Sequence, residues 1–247
     1  MDTAITTAPL KRSTLLLGVY ASGDLAVVVI VGALAFLLVL LALNAMGTAG
    51  MPSLAWYGLL EQSCLLLALL GWERWRPLPA PVAPLRTPWP QRRAWLIGAL
   101  GGSVMLLLDW GLLTMLEQAG IAPDPANEAS IRQGLAQAPL LEMTSLGLMA
   151  PWMEERVVRG RLLGRFHHAG KPVVGLVLTS LLFALLHEFG PDSHQPLAEW
   201  LALIGVYAWS GVGFGLLYLW SGRLGAAIVA HAVNNLMHGG LVLLELA

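Results

Sequence analysis

Long apolar runs separated by short polar breaks organise the chain. Runs at Leu25–Met46, Leu54–Trp72, Trp95–Leu116, about Leu135 to the Glu154-Glu155 pair, Val173–His187, Leu197–Trp220 and Leu224–Leu246 mostly approach or exceed the roughly 20 residues a helix needs to cross a bilayer. Residues 1–12 are polar and end in Lys11-Arg12. The short apolar run Ser13–Ala21 reads as an interfacial lead-in, cut off from the first span by Ser22-Gly23-Asp24. Glu73–Arg93, rich in Pro and Arg, cannot continue a helix, and Glu117–Gly134 reads as an acidic connection with two prolines. Pro151 should kink the fourth helix just before its acids. The pattern therefore predicts an all-α polytopic membrane protein of about seven transmembrane helices enclosing an intramembrane cavity. It forms a single membrane domain over 1–247, with helices one to three in 1–134 and helices four to seven in 135–247. No internal repeat is visible.

Composition agrees. Of 247 residues, 57% are hydrophobic and 12% charged, against about 45–50% and 25% in soluble domains, so the bilayer is the expected surroundings. A net charge of −1, with no basic run interleaved with aromatics, gives no nucleic-acid partner. The single cysteine, Cys64, has no partner for a disulfide or a cysteine metal site and reads as a small core residue. Gly98 and Gly102, four apart in the third span, would let a neighbouring helix approach closely.

Charge also orients the ladder. With the N-terminus in the cytoplasm, thirteen of the fourteen Lys and Arg residues fall at or near the inner face and only Arg132 outside. Trp72, Trp75, Trp95, Trp200 and Trp220 fall near span ends, as an interfacial belt would. The expected protein is integral to the plasma (inner) membrane, with its C-terminus outside.

Three polar groups interrupt the last four spans: Glu154-Glu155 with Arg159, Phe183 with His187, and His231 with Asn235. A charged side chain at the middle of a membrane helix costs roughly 2.5–3.5 kcal/mol even on mild scales, so such groups need partners and mark sites. Glu155 and Arg159 are four apart and share a helical face, while Glu154 points about 100° away. One acid is thus paired and the other is free. His231 and Asn235 share a face that Asn234 and His238 extend, with the role of His238 left open. Rise per residue puts Glu154 about 16 Å from Arg165 and His231 about 12 Å from Arg223, but His187 about 22 Å from Pro172, too deep to meet them. Burial beside a second acid favours Glu154 as a general base. Asn235, a neutral donor, suits a developing oxyanion better than zinc, which prefers Cys, His and carboxylate.

Each group alone has an ordinary reading, such as a helix-stabilising ion pair, a bonded core histidine or interhelical glue. In this order, Glu-Glu-x-x-x-Arg, Phe-x-x-x-His and His-x-x-x-Asn over about 135–240 resemble the CPBP (Abi) family of intramembrane proteases, related to the type II CAAX prenyl endopeptidases. Val158 departs from the aromatic found in many members. The resemblance implies Glu154 as base, His187 as its partner in activating water, and His231 with Asn235 as oxyanion donors, supported by Glu155 and Arg159. It implies an endopeptidase acting near the C-terminus or membrane anchor of a membrane-anchored or C-terminally tagged substrate. No cofactor is expected; a zinc variant would use Glu154, His187 and His231. The alternatives are an ion- or proton-coupled transporter, since intramembrane acids and histidines also relay protons, and an inactive peptide-binding scaffold. Glu61, Asp109 and Glu142 read as structural pairing groups, and His167, His168 and His194 as connection residues.

Overall fold

The computed structural model describes residues 14–45, 54–79, 89–188 and 195–246, all helix and short connections. The helices are α1 (Thr14–Ala45), α2 (Leu54–Trp75), α3 (Gln91–Gln118), α4 (Glu128–Gln137), a composite α5 over 139–168, α6 (Pro172–Glu188), α7 (Leu197–Ser221) and α8 (Leu224–Leu246). Residues 1–13, Met46, Arg86, Asp192 and His194 lie outside the described residues. Four of the described helices carry segments long and apolar enough to cross a membrane: 23–45 of α1, and α3, α7 and α8. That is an integral membrane protein. Seven crossings are an expectation the described helices do not reach, because α6 has only 17 residues and α2 and α5 carry charge along their length.

Two sequence expectations are corrected. The lead-in and the first span are one continuous helix, Thr14–Ala45. Ser22-Gly23-Asp24 does not break it, because Asp24 is buried and meets Arg161 at 3.3 Å as well as Arg165; a partnered acid can stay inside a helix. The connection 117–134 is also not all loop, for Glu128–Gln137 is helical. Ile131 and Leu135, four apart, form its apolar face and bury against Val242, and Glu128 pairs with Arg132 one turn on at 2.7 Å.

The α3–α8 contact follows from the small residues. A Cβ on Gly98 would fall 2.5 Å from the carbonyl oxygen of Ala226, and one on Gly102 would overlap that of Ala230, so both glycines are needed for the backbones to touch. α5 lies between two cores. Val158 and Leu163 join Phe183, Phe214 and Ala230 in one, while Met153, Val157 and Leu162 join Val28 and Leu69 in the other. Cys64 is buried and free.

Pro151 shapes α5 through its backbone. It lacks an N–H, and its ring crowds the carbonyl four residues earlier. The helix responds with a π turn at Ser145–Met149 immediately before it, in which Ala150 N–H bonds Ser145 O. A second π segment, Arg156–Leu163, follows the acids. Two of its three arginines are held from α1 and from α2 and its end: Arg156 Nε donates to Glu73 Oε2 at 3.2 Å, and Arg161 donates to Arg76 O at 3.0 Å and meets Asp24.

Candidate active site

The acid pair splits between two environments. Glu155 is fully buried, and its Oε1 accepts from Arg159 Nη1 at 2.8 Å and from His231 Nδ1 at 3.0 Å. Arg159, also fully buried, donates a second bond to the Gly211 carbonyl at 2.8 Å, with Phe183 and Phe214 rings 4.7 and 5.4 Å from its guanidinium. This charge is stabilised by a carboxylate, by a helix carbonyl and by two ring faces, while its Nε is left without a partner.

Glu154 faces the other way. Its side chain is 34% exposed, and its Oε2, shielded from solvent, has no hydrogen-bond partner. The nearest base is His187, with Nε2 3.8 Å from Glu154 Oε2. That is too long for a direct hydrogen bond and short enough for one water to bond both. His187 Nδ1 donates to Phe183 O at 2.8 Å, a carbonyl that can only accept, so the neutral ring presents the Nε2 lone pair to Glu154. Tyr207 stacks on the other side of the ring at 4.8 Å. The excessive depth expected for His187 came from measuring the helices from different starting residues, Arg165 for one and Pro172 for the other. α5 and α6 form one hairpin through Gly170 (φ 74). Glu154 lies fifteen residues before Ala169 and His187 sixteen after Lys171, so the two come out level.

His231 and Asn235 share a face of α8, as their spacing requires. His231 is buried against Phe214, the rings stacked at 4.7 Å. Asn235 Nδ2 donates to Leu146 O at 3.0 Å. With His187 they line a cavity of about 680 Å³ between α3, α4, α6, α7 and α8. Glu154 is not on its wall and meets it through His187. His238, whose role the sequence left open, bonds Glu128 Oε2 at 3.0 Å where α4 meets α8. That bond holds the Glu128 carboxyl below the usual value, outweighing burial, which acts the other way; Arg132 adds to it.

Sequence reasoning passed over Gly211 and Tyr207, which carry no charge to flag them, and it placed Asp109 only as a pairing residue. Asp109 Oδ2 does accept from Ser210 Oγ at 2.8 Å, and both line the cavity. Among the described residues no three His, Cys, Asp or Glu side chains converge to hold a metal ion. Of the Glu154, His187 and His231 set, Glu154 Oε2 lies 3.8 Å from His187 Nε2, while His231 Nδ1 is bonded to Glu155.

The fold and site define a helical membrane protein with an acid–histidine pair beside a recessed cavity whose wall is mostly apolar. Residues 136–237, which contain all three motifs, match the family model of the type II CAAX prenyl endopeptidase Rce1-like proteins. Over that stretch, less than half of the chain, the CPBP resemblance read from the motifs is borne out. No curated protein and no solved structure matches the chain.

Proposed function

We propose that the protein is a glutamate-dependent intramembrane endopeptidase that hydrolyses a peptide bond near the C-terminus or membrane anchor of a prenylated or otherwise anchored substrate. The observation that carries the reading is the Glu154–His187 pair, in which an unpartnered carboxylate oxygen faces an imidazole lone pair 3.8 Å away. A water held there donates one proton toward Glu154 and the other toward His187, leaving its oxygen lone pair for the scissile carbonyl. Glu154 takes the proton as the oxygen attacks and returns it to the leaving amine. His231, on the cavity wall, donates to the developing oxyanion through Nε2. Because Nδ1 is engaged with Glu155, the ring carries both protons at that stage, and the Glu155 carboxylate offsets its charge. Asn235 has a second amide N–H beyond the one bonded to Leu146 and completes the oxyanion site. The chain would sit in the plasma (inner) membrane with its N-terminus inside and its C-terminus outside.

The test is cleavage of an S-farnesylated CAAX-type peptide by the purified protein in nanodiscs, read by product mass in ¹⁸O-water. Wild type should place one ¹⁸O in the new carboxylate. Glu154→Gln and His187→Gln should each lower the rate at least about 10²-fold with the helix content unchanged. Cleavage that persists in both variants would overturn the assignment.

A further inference from the structure

The cavity opens toward one end of the bundle. None of its wall comes from 91–105 of α3, 215–221 of α7 or 224–230 of α8. Those three segments meet at the other end, where the Trp89 N–H bonds Ser221 O and Arg223 Nε bonds Trp89 O, both at 3.1 Å. That end is packed shut. Gly98 and Gly102 bring α3 onto the carbonyls of Ala226 and Ala230, Leu217 and Ala227 fill the core there, and Phe214, stacked on His231, closes the floor of the cavity. The closed end is also the basic one. Arg92, Arg93 and Arg223 stand at it, together with the Arg161–Arg165 turn of α5, whose Gly160 adjoins Leu224. At the open end the wall carries Arg132, committed to Glu128 and Glu245 at 2.7 and 2.8 Å.

The reacting pair lies toward the open end as well. His187 is the last residue but one of α6, and its neighbour Glu188 accepts from Gln195 in the α6–α7 connection at 3.1 Å. At about 1.5 Å per residue it stands about 22 Å from Pro172, past the middle of a core about 30 Å thick. A side mouth adjoins it. Leu107 and Trp110 on α3 and Leu241 and Leu244 on α8 line the cavity and are at the same time exposed, so they face the bilayer and the cavity together.

We propose that the closed, basic end faces the cytoplasm, as the positive-inside bias requires, and that substrate enters from the outer leaflet between α3 and α8. Its substrate is then an exported, membrane-anchored polypeptide cut on the extracytoplasmic side. The apolar anchor occupies the leucine-lined mouth, the polar chain stays at the rim with Glu128, Arg132 and Glu245, and the bond between them reaches His187 and His231 along one wall. A chain coming from the basic end would have to part the Gly98–Ala226 and Gly102–Ala230 contacts. The inference rests on the endopeptidase reading for the site and on the charge split for its side.

The test is photo-cross-linking to full-length Glu154→Gln protein in sealed membrane vesicles. The probe is a biotinylated, S-farnesylated CAAX-type peptide with an oligoglutamate head, whose charge keeps it in the leaflet to which it is added. p-Benzoylphenylalanine is placed at Leu107 or Leu241, on the wall, or at Leu108, which is exposed at the same depth of α3 but off the wall. With the probe outside right-side-out vesicles, capture at Leu107 and Leu241 should exceed that at Leu108 at least about tenfold. Added to inside-out vesicles, the probe should give only the Leu108 level at all three. Equal yields at the three positions in right-side-out vesicles would show a probe merely dissolved in the surrounding lipid and would overturn the route. Wall capture confined to inside-out vesicles would overturn the sidedness. Capture needs no turnover, so the ¹⁸O outcome judges the catalytic reading separately.

Discussion

Asn235 Nδ2 donates a 3.0 Å hydrogen bond to the carbonyl oxygen of Leu146, and Pro151 is the reason that carbonyl is open. In the π turn at Ser145–Met149 the N–H of Ala150 bonds Ser145 O, leaving the Leu146 carbonyl without its ordinary partner. The next N–H in the π register would come from residue 151, and proline has none. A proline and an amide 84 positions apart thus answer one another, and α8 is pinned to α5 beside the cavity.

From this, Asn235→Ala should cost about 1–3 kcal/mol of stability by orphaning the Leu146 carbonyl, over and above its effect on rate. In a Pro151→Ala background, where residue 151 has an N–H to offer, the stability loss should fall to less than half. Denaturation midpoints of the two singles and the double in detergent measure the coupling. Additive losses would mean that Pro151 and Asn235 are independent.

The two glutamates should separate by phenotype. Glu155→Gln removes the counter-charge from a fully buried Arg159 and leaves only a neutral amide oxygen to accept from Arg159 and His231. Breaking a buried pair in this way typically costs about 3–5 kcal/mol. Glu154→Gln touches a side chain that is 34% exposed and has no hydrogen bond to lose, so its melting midpoint should stay near wild type while its turnover collapses. Equal melting losses for the two, with turnover per folded molecule unchanged, would remove the division of labour.

Several of these relationships were readable in the sequence. The four-residue spacing of Glu155 and Arg159 fixes their pairing on any α-helical turn, and that of Gly98 and Gly102 marks a close helix contact. What the spacing could not give was the partner across space: α8 for the glycines, His231 for Glu155, Phe183 O for His187. Asp24 misled because an acid within an apolar run normally ends it, and its partners Arg161 and Arg165 stand some 140 positions away. Glu128–Gln137 was hidden by the two prolines just before it. Its apolar face is only Ile131 and Leu135, too short a period to outweigh turn signals. The π turns leave no residue pattern of their own beyond Pro151.

Acid should loosen the α4–α8 contact first. Glu128 is held below its usual value of 4.5 by the hydrogen bond from His238. A depressed carboxyl contributes stability that is present above its unfolded value and lost as pH falls through the lower folded one. Between neutral pH and about 4.5 the contact should therefore hold, and below that it should weaken progressively. Hydrogen exchange at Glu128–Gln137 should rise there in wild type. In Glu128→Gln it should already be raised at pH 7 and change little on acidification. An α4 equally protected at pH 3 and pH 7 would contradict the role given to Glu128.

Metal dependence is the sharpest chemical test. Zinc bound by side chains takes nitrogen, sulfur or carboxylate ligands that converge within about 2.0–2.3 Å of one point. Here His187 uses Nδ1 on Phe183 O and turns Nε2 to Glu154, while His231 uses Nδ1 on Glu155. The carboxylate at His231 is committed to Arg159 as well. Each imidazole is served by a different acid, the arrangement expected if one pair handles the water and the other the oxyanion. Turnover should thus survive 1,10-phenanthroline, and elemental analysis of purified protein should give well under one zinc per chain. Asn235→Ala should lower kcat about 10²–10³-fold with little change in KM, as loss of one oxyanion donor does. Stoichiometric zinc that disappears in His187→Ala and His231→Ala, and whose return after chelation restores hydrolysis, would make the water metal-activated. Asn235 would then act only through its bond to Leu146.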